Sequence, residues 1–202
     1  MNTFKQLGII GMLTLSACSA NQQKGAATGA AGGALAGAAG SMMVALVFGG
    51  NVGEAAARGA VYGGTAGATA GAISGTQQDK KAAAALEQKQ QKEIAKFRKQ
   101  VGDDAFAGVE ALLECKHEVA TAYARTAARS DNKDYARAGI WLEALTLQDM
   151  SDQAGVDTLV PALLTGDKRL KNATDVRNTL QDYQQQLAQL RTQFKLQDSC
   201  GV

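Results

Sequence analysis

Small residues recur at every fourth position between residues 25 and 75, and this period constrains the fold more than any other feature of the chain. One series consists of Gly25, Gly29, Gly33 and Gly37, and a second of Gly59, Gly63, Gly67, Gly71 and Gly75. A four-residue period places small residues in one stripe along a helix, where another backbone can approach closely. The segment therefore predicts two helices that pack through their glycine stripes.

The composition of this segment favours a membrane or a tightly packed environment over water. Its 51 residues include 15 Gly and 17 Ala, and only Glu54 and Arg58 are charged. A helix this rich in Gly is poor in water, because each Gly costs about 1 kcal/mol relative to Ala. At 1.5 Å per residue, segments 25–48 and 55–75 give helices of about 36 and 31 Å, enough for a hydrocarbon core. We therefore expect a glycine-zipper transmembrane hairpin over residues 25–76, with its turn at 49–53.

The larger apolar side chains of the hairpin are its expected lipid contacts. They are Leu35, Met42, Met43, Val44, Leu46, Val47, Phe48, Val61, Tyr62 and Ile73. A collagen-like structure is excluded, because collagen needs Gly at every third residue. A flexible Gly-rich linker is the remaining alternative, but linkers do not keep a strict register over fifty residues.

The N-terminus predicts export to the cell envelope. Residues 1–17 contain Lys5 and then an apolar stretch from Leu7 to Leu15, which suits a signal peptide and is too short to span a bilayer. The sequence from Leu15 to Cys18 resembles the lipobox of bacterial lipoproteins, in which the Cys thiol receives the diacylglycerol. We expect a signal peptide at 1–17 and a lipidated linker at 18–24 that begins with Cys18. An ordinary signal peptide followed by an unmodified Cys is the alternative.

The lipobox and the two glycine series together resemble the glycine-zipper outer-membrane lipoproteins, which include the rickettsial surface-antigen type. Ser19 is similar to the signal that sends lipoproteins to the outer membrane, and the polar segment 76–81 is similar to the exit from the second zipper helix of these families. The resemblance covers residues 1–81. It implies a self-associating, membrane-anchored envelope protein without catalytic residues. Beyond residue 81 the chain lacks the Asn, Asp and Arg motifs with which OmpA-like domains bind peptidoglycan.

Two cysteines remain once Cys18 is assigned to the lipid. Cys115 and Cys200 form an even pair in an oxidising compartment, so we expect a disulfide between them. A buried thiol and an intermolecular bridge are the alternatives. With one His and well-separated cysteines, the chain predicts no zinc site. His117 lies two residues from Cys115, which places the pair on different faces of a helix, and we expect it to be exposed.

Residues 77–202 have the composition of a soluble helical domain, with 18 basic and 18 acidic side chains and six Gly. Apolar spacing predicts a helix near residues 94–101, a helix over 103–129 and a shorter one that ends near Ser151. Gly102 is a candidate break, and 130–132 is a candidate turn. A loop is expected around Asp157, Pro161 and Gly166.

The last helix shows the clearest pattern of this domain. A seam with steps of three and four residues runs through Ala173, Val176, Leu180, Tyr183, Leu187, Leu190 and Phe194. The seam packs either inside the domain or against another chain, and the expected disulfide favours internal packing because it would hold this helix along helix 103–129.

The sequence as a whole predicts an all-α protein: a zipper hairpin followed by a periplasmic helical bundle with a long C-terminal helix. A net charge of +2 gives no reason to expect nucleic acid. No group of side chains indicates an enzyme or a cofactor, and carboxylate pairs such as Asp149 and Asp152 are expected at helix caps and turns. We expect a structural or scaffolding lipoprotein of the outer membrane, in contact with lipid, forming homo-oligomers and offering residues 77–202 to an envelope partner. A pore or export channel and an accessory subunit of a secretion, motility or conjugation machine are the alternatives.

Overall fold

The computed structural model describes residues 20–51, 53–59, 77–196 and 200. Within these residues every regular element is a helix, which confirms the all-α prediction. The helices are α1 (Ala20–Phe48), α2 (Gln77–Val101), α3 (Asp103–Leu113), α4 (His117–Ala128), α5 (Lys133–Asp149), α6 (Gln153–Gly166) and α7 (Ala173–Gln193). Residues 53–59 are also helical. The predicted signal peptide, Cys18 and Gly63, Gly67, Gly71 and Gly75 lie outside the described residues.

Helix α5 is the centre of the fold, since it contacts each of the other six helices named above. Trp141, Leu142 and Leu145 on this helix are fully buried. Gly139 allows α4 to cross it closely, because a Cβ atom there would lie 2.2 Å from the backbone nitrogen of Ala128. The core is therefore built around α5, with the backbones of α4 and α5 in direct contact.

Polar residues before three helices satisfy N–H groups that have no partner within the helix. Asn132 accepts a hydrogen bond from Asp134 N before α5, and Asp152 accepts one from Gly155 N before α6. Asn172 caps α7 in the same way. The cap role expected of Asp152 and the turn expected at 130–132 are confirmed. The predicted break at Gly102 is also confirmed, because this residue separates α2 from α3 with a φ angle of +88°.

The prediction of one helix over 103–129 is wrong, because α3 ends at Leu113 and α4 begins at His117. Cys115 lies between them with a φ angle of +59°, and Lys116 N donates to Ala111 O at 2.9 Å. This hydrogen bond is typical of an α-helix that ends at a residue in the left-handed backbone conformation. The helical spacing of apolar residues continues across residues 114–116, so the sequence pattern did not indicate a break there. Tyr123, expected on the buried face, is 38% exposed.

The loop predicted around Asp157, Pro161 and Gly166 is wrong too, since these residues belong to α6. Pro161 removes one hydrogen bond from the helix interior. Val156, Val160 and Leu163 are nonetheless buried at helical spacing. Their burial offsets the loss at Pro161, so the helix continues through it.

The seam of α7 packs inside the domain. Val176, Leu180, Tyr183, Leu187 and Leu190 are buried, and the two ends of the seam are partly buried against the same core. Helix α7 contacts α3, α5 and α6. Of the two arrangements left open by the sequence, the structure therefore has the internal one.

The C-terminal half of α1 also belongs to the core of this helical domain. Met42, Met43, Leu46 and Val47 are at most 1% exposed, and α1 contacts α2, α3 and α5. Gly40 permits this docking, because a Cβ atom there would lie 2.6 Å from a ring carbon of Phe106. These four side chains were expected to contact lipid and instead contact protein. An apolar helix face does not by itself tell lipid from a protein core, and the helical domain supplies the nearest apolar surface.

Hydropathy agrees with this arrangement. Among the described residues, no helix has both the length and the apolar character that crossing a membrane requires. The transmembrane reading of the hairpin is therefore unconfirmed, and most of the second glycine series lies outside the part of the chain that the structure describes.

Docking of α1 predicts that its methionines stabilise the helical domain. Met43→Ala should lower the free energy of unfolding by about 2–5 kcal/mol, because it leaves a cavity in the core. Met150→Ala removes the same side chain from a position that is 37% exposed, and it should change stability by less than about 0.5 kcal/mol. Urea denaturation followed by Trp fluorescence measures both. Equal stability of Met43→Ala and the unmodified protein would show that α1 is not part of the core.

Candidate functional site

The two arms of the predicted hairpin meet at a glycine contact. A Cβ atom on Gly59 would lie 2.2 Å from both Gly37 O and Ser41 Oγ, so only Gly fits at this position. Ser41 Oγ donates to Ala55 O at 2.7 Å across the same interface, and it also lies 3.1 Å from Ala38 O. Where the structure describes both arms, glycines of the two series therefore allow the close backbone contact that their spacing predicts.

The remaining glycines of the site are only partly described. Gly25 and Gly29 lie in α1, Gly33 is half-buried in the same helix, and Gly37 is buried. Gly59 is buried in the short helical segment 53–59. Contacts of the other second-series glycines are not described, so their role stays a prediction.

The C-terminus of α1 is held by a charged pair from the segment between α6 and α7. Arg169 Nη2 donates to Leu46 O at 2.7 Å, and its guanidinium pairs with the buried carboxylate of Asp167. Basic side chains at the C-terminus of a helix donate to its last carbonyl groups and interact favourably with the helix dipole. Burial would raise the pKa of Asp167, but the bonds from Arg169 outweigh burial and hold it below its ordinary value. The pair therefore stays charged and fixes where α1 ends.

Cys115 and Cys200 come together as expected. Their Sγ atoms are 2.00 Å apart and their Cα atoms 5.1 Å apart. The bond joins the turn after α3 to the end of the chain beyond α7. It therefore holds the last helix to the domain across a sequence separation of 85 residues.

A buried ion pair lies beside this disulfide. Both terminal nitrogens of Arg191 donate to Asp149, each at 2.8 Å, and Arg191 also donates to the carbonyl groups of Leu112 and Leu113 at the end of α3. The side chains of Arg191 and Asp149 are only 3% and 6% exposed. One guanidinium thus joins α7 to α3 and α5 through planar, two-point hydrogen bonding.

His117 completes the cluster. Its Nε2 lies 2.8 Å from Asp149 Oδ2, and its side chain is 16% exposed. The expectation that His117 is exposed is wrong. Cys115 lies between two helices with a positive φ angle, so the helical-face argument does not apply to this pair. A ring nitrogen of His117 lies within 4.8 Å of Sγ of Cys200, to which Cys115 is bonded.

The charge state of Asp149 follows from its partners. Burial would raise the pKa of its carboxyl group, but hydrogen bonds from Arg191 and His117 outweigh burial and hold the pKa below its ordinary value. Asp149 is therefore an acceptor at neutral pH, and Nε2 of His117 carries the proton that it donates. Asp149 is the last residue of α5 and precedes a turn, as predicted, and its carboxylate in addition accepts from two side chains.

Sequence analysis missed Asp149 and Arg191 as members of this cluster. Their separations from Cys115 and His117 are too long for any local pattern to detect. The one available signal is that Arg191 directly follows Leu190 of the buried seam. A charged side chain so near a seam has to be solvated at its edge or paired inside the domain.

A polar cleft of about 620 Å³ lies between the hairpin turn and α7. Its walls include Asn51, Arg169, Asp182 and Gln186, together with buried Trp141. Within the described residues, Trp141 Nε1 has no hydrogen-bond partner. The cleft offers polar side chains of both charges but no arrangement of nucleophile, base and oxyanion donors.

Comparison of the chain with protein-family models, with curated proteins and with solved structures finds no match. Its function is therefore inferred from its own residues.

The buried pair predicts a large stability effect at Arg191. Arg191→Met should lower the free energy of unfolding by about 3–5 kcal/mol, because the buried carboxylate of Asp149 would lose its charged partner and keep only the bond from His117. Arg177→Met is the matched control: Arg177 lies on the same helix and pairs with Asp157, but both side chains are exposed, so stability should hardly change. Thermal or urea unfolding measures both, and equal losses at the two positions would contradict the assigned role of Arg191.

Proposed function

We propose that this protein is a lipid-anchored structural component of the bacterial outer membrane, which holds a helical domain in the periplasm and self-associates through its glycine zipper. The observation that carries the proposal is the contact between Gly37 and Gly59, where a side chain on Gly59 would meet backbone. Close helix packing through glycine is the mechanism that the four-residue period implies. The lipobox-like segment before Cys18 supports the anchor, and the absence of a catalytic arrangement among the described residues accords with a structural role.

The observed contacts support an antiparallel register for the whole zipper. Ser41 meets Ala55 and Gly37 meets Gly59, so a step of four residues back along the first arm matches a step of four forward along the second. Continuing this register pairs Gly33 with Gly63, Gly29 with Gly67 and Gly25 with Gly71. Both series keep their period over this range. We therefore propose that the stripes first close the hairpin within one chain.

Docking of α1 limits which part of the zipper is free to contact lipid. If residues 25–48 spanned a bilayer, Met42, Met43 and Leu46 would have to leave the core in which they are buried. We infer that the membrane contacts are made by the acyl chains on Cys18 and by the zipper N-terminal to residue 36, together with residues 60–76. Copies of the protein associate through this part of the zipper. The pore and the machine-subunit functions stay predictions.

The anchor is tested by Cys18→Ser. This variant loses the thiol that receives the lipid, so the protein should remain as an unprocessed precursor at the inner membrane. Fractionation of the two membranes, with metabolic labelling by a fatty acid, measures the change. Ser16→Ala keeps the small residue of the lipobox-like segment and should leave processing unchanged. Outer-membrane fractionation of Cys18→Ser at the normal level would overturn the lipoprotein proposal.

The zipper is tested by Gly59→Leu, which forces the two arms apart because its side chain would occupy the place of Gly37 O and Ser41 Oγ. Amide hydrogen exchange in residues 37–59 should rise at least about tenfold, since a lost local stability of 1.4 kcal/mol already produces that factor. Crosslinked homo-oligomers should decrease while membrane association persists.

Gly166→Leu is the control for this test, because apart from its chain neighbours and the backbone of its own helix no atom lies within 4 Å of a Cβ at that position. It should leave both exchange and crosslinking unchanged. A Gly59→Leu protein with normal exchange would show that the arms do not depend on close packing. If Gly59→Leu showed normal hydrogen exchange but lost its crosslinked oligomers, self-association would still be supported. Close packing of the two arms within one chain would then be contradicted.

A further inference from the structure

The cluster at the disulfide places metal-binding atoms together. A ring nitrogen of His117, a carboxylate oxygen of Asp149 and Sγ of Cys200 all lie within 4.8 Å of one another. Cys115 Sγ is bonded to Cys200 Sγ at the same place. In the oxidised protein the sulfur atoms are poor ligands, because metal ions bind the thiolate form of cysteine.

We propose that reduction of the Cys115–Cys200 disulfide turns this cluster into a zinc site, with the two thiolates and the imidazole of His117 as its protein ligands. A dithiol donor supplies two electrons and two protons, the S–S bond breaks, two thiols form, and the donor becomes a disulfide. Binding of Zn²⁺ to the two thiols then releases two protons. The fourth position of the tetrahedron is left for water.

One ring nitrogen of His117 is already held by a carboxylate. Its Nε2 donates to Asp149, so a metal ion bound at Nδ1 would leave this hydrogen bond in place. A carboxylate that holds the far side of a zinc-binding imidazole is a recurrent feature of zinc sites and fixes both the tautomer and the ring. Arg191 in turn holds Asp149 through two hydrogen bonds of 2.8 Å. The imidazole is thus oriented before any metal arrives.

The charges balance in both redox states. Asp149 is neutralised by Arg191, and the two thiolates would be neutralised by Zn²⁺, so the site gains no net charge inside the domain. The Cα atoms of the cysteines are 5.1 Å apart. Two Zn–S bonds of about 2.3 Å at a tetrahedral angle need the sulfur atoms to part to roughly 3.8 Å, which side-chain rotation at this Cα separation allows.

The test uses the full chain with Cys18→Ser, so that Cys115 and Cys200 are its only thiols. The protein is reduced with a phosphine, desalted without oxygen and titrated with Zn²⁺ against a chromophoric chelator. We expect one Zn²⁺ per reduced chain, with an affinity at least about 100-fold above that of the oxidised chain, which lacks thiolate ligands. Co²⁺ in place of Zn²⁺ should produce the intense visible absorption of a tetrahedral thiolate site.

His117→Gln separates a built site from two free thiols. This variant keeps both cysteines, and its reduced form should bind Zn²⁺ at least about tenfold more weakly than the reduced parent. Lys116→Gln changes the neighbouring exposed residue and should bind like the parent. Equal affinity of His117→Gln and the parent would overturn the proposal, because it would mean that a loosened dithiol binds zinc without the cluster. Absence of one-to-one binding by the reduced parent would also overturn it. Lipid attachment plays no part in this test, so its failure leaves the proposed function untouched.

Discussion

The burial of the C-terminal half of α1 in the helical domain is the constraint on which the rest of the structure depends. Met42, Met43 and Leu46 fill space between α2, α3 and α5, and Arg169 satisfies the carbonyl of Leu46 at the end of the helix. Three buried side chains of this size contribute several kcal/mol, at about 1.5–3 kcal/mol each. Because the hairpin turn follows directly, this docking fixes where the second arm starts and brings Gly59 onto Gly37. The first arm of the hairpin and the helical domain are therefore parts of one packed structure rather than independent modules.

The other end of the domain is held by a different kind of interaction. Arg191 joins three helices through one guanidinium, and the disulfide at Cys115 closes the chain beside it. A buried ion pair adds little net stability over a well-packed apolar pair, because both charges lose their hydration. Its effect lies in geometry: only one placement of α7 satisfies Asp149 and the carbonyl groups of α3 at once. That placement also puts Cys200 within 4.8 Å of a ring nitrogen of His117, so the cluster at the disulfide is a consequence of how the last helix is held.

Sequence patterns correctly predicted those parts of the fold that depend on helical spacing, backbone conformation and the number of cysteines. The α7 seam, the break at Gly102 and the pairing of Cys115 with Cys200 agree with the structure. The errors arose where tertiary contacts outweigh local preference. Pro161 lies inside a helix because the residues around it are buried, and Met42 faces protein because a core and a bilayer select the same side chains. The cluster at His117 was invisible for a further reason: its members are brought together only by folding.

A helix made largely of Gly and Ala satisfies two requirements that a more apolar helix would not. For the export that we propose, its low hydropathy would make it a weak stop-transfer signal, so the helix would not lodge in the inner membrane. Its small residues permit backbone contact, which recovers through packing part of the stability that Gly loses in the unpaired helix. In this chain the compensation is local and visible: Ser41 donates across the interface at the level where Gly59 meets Gly37. Larger side chains on the stripe would improve membrane partition and remove the contact, so the composition of the zipper fits a segment selected for close packing more than for hydrophobicity.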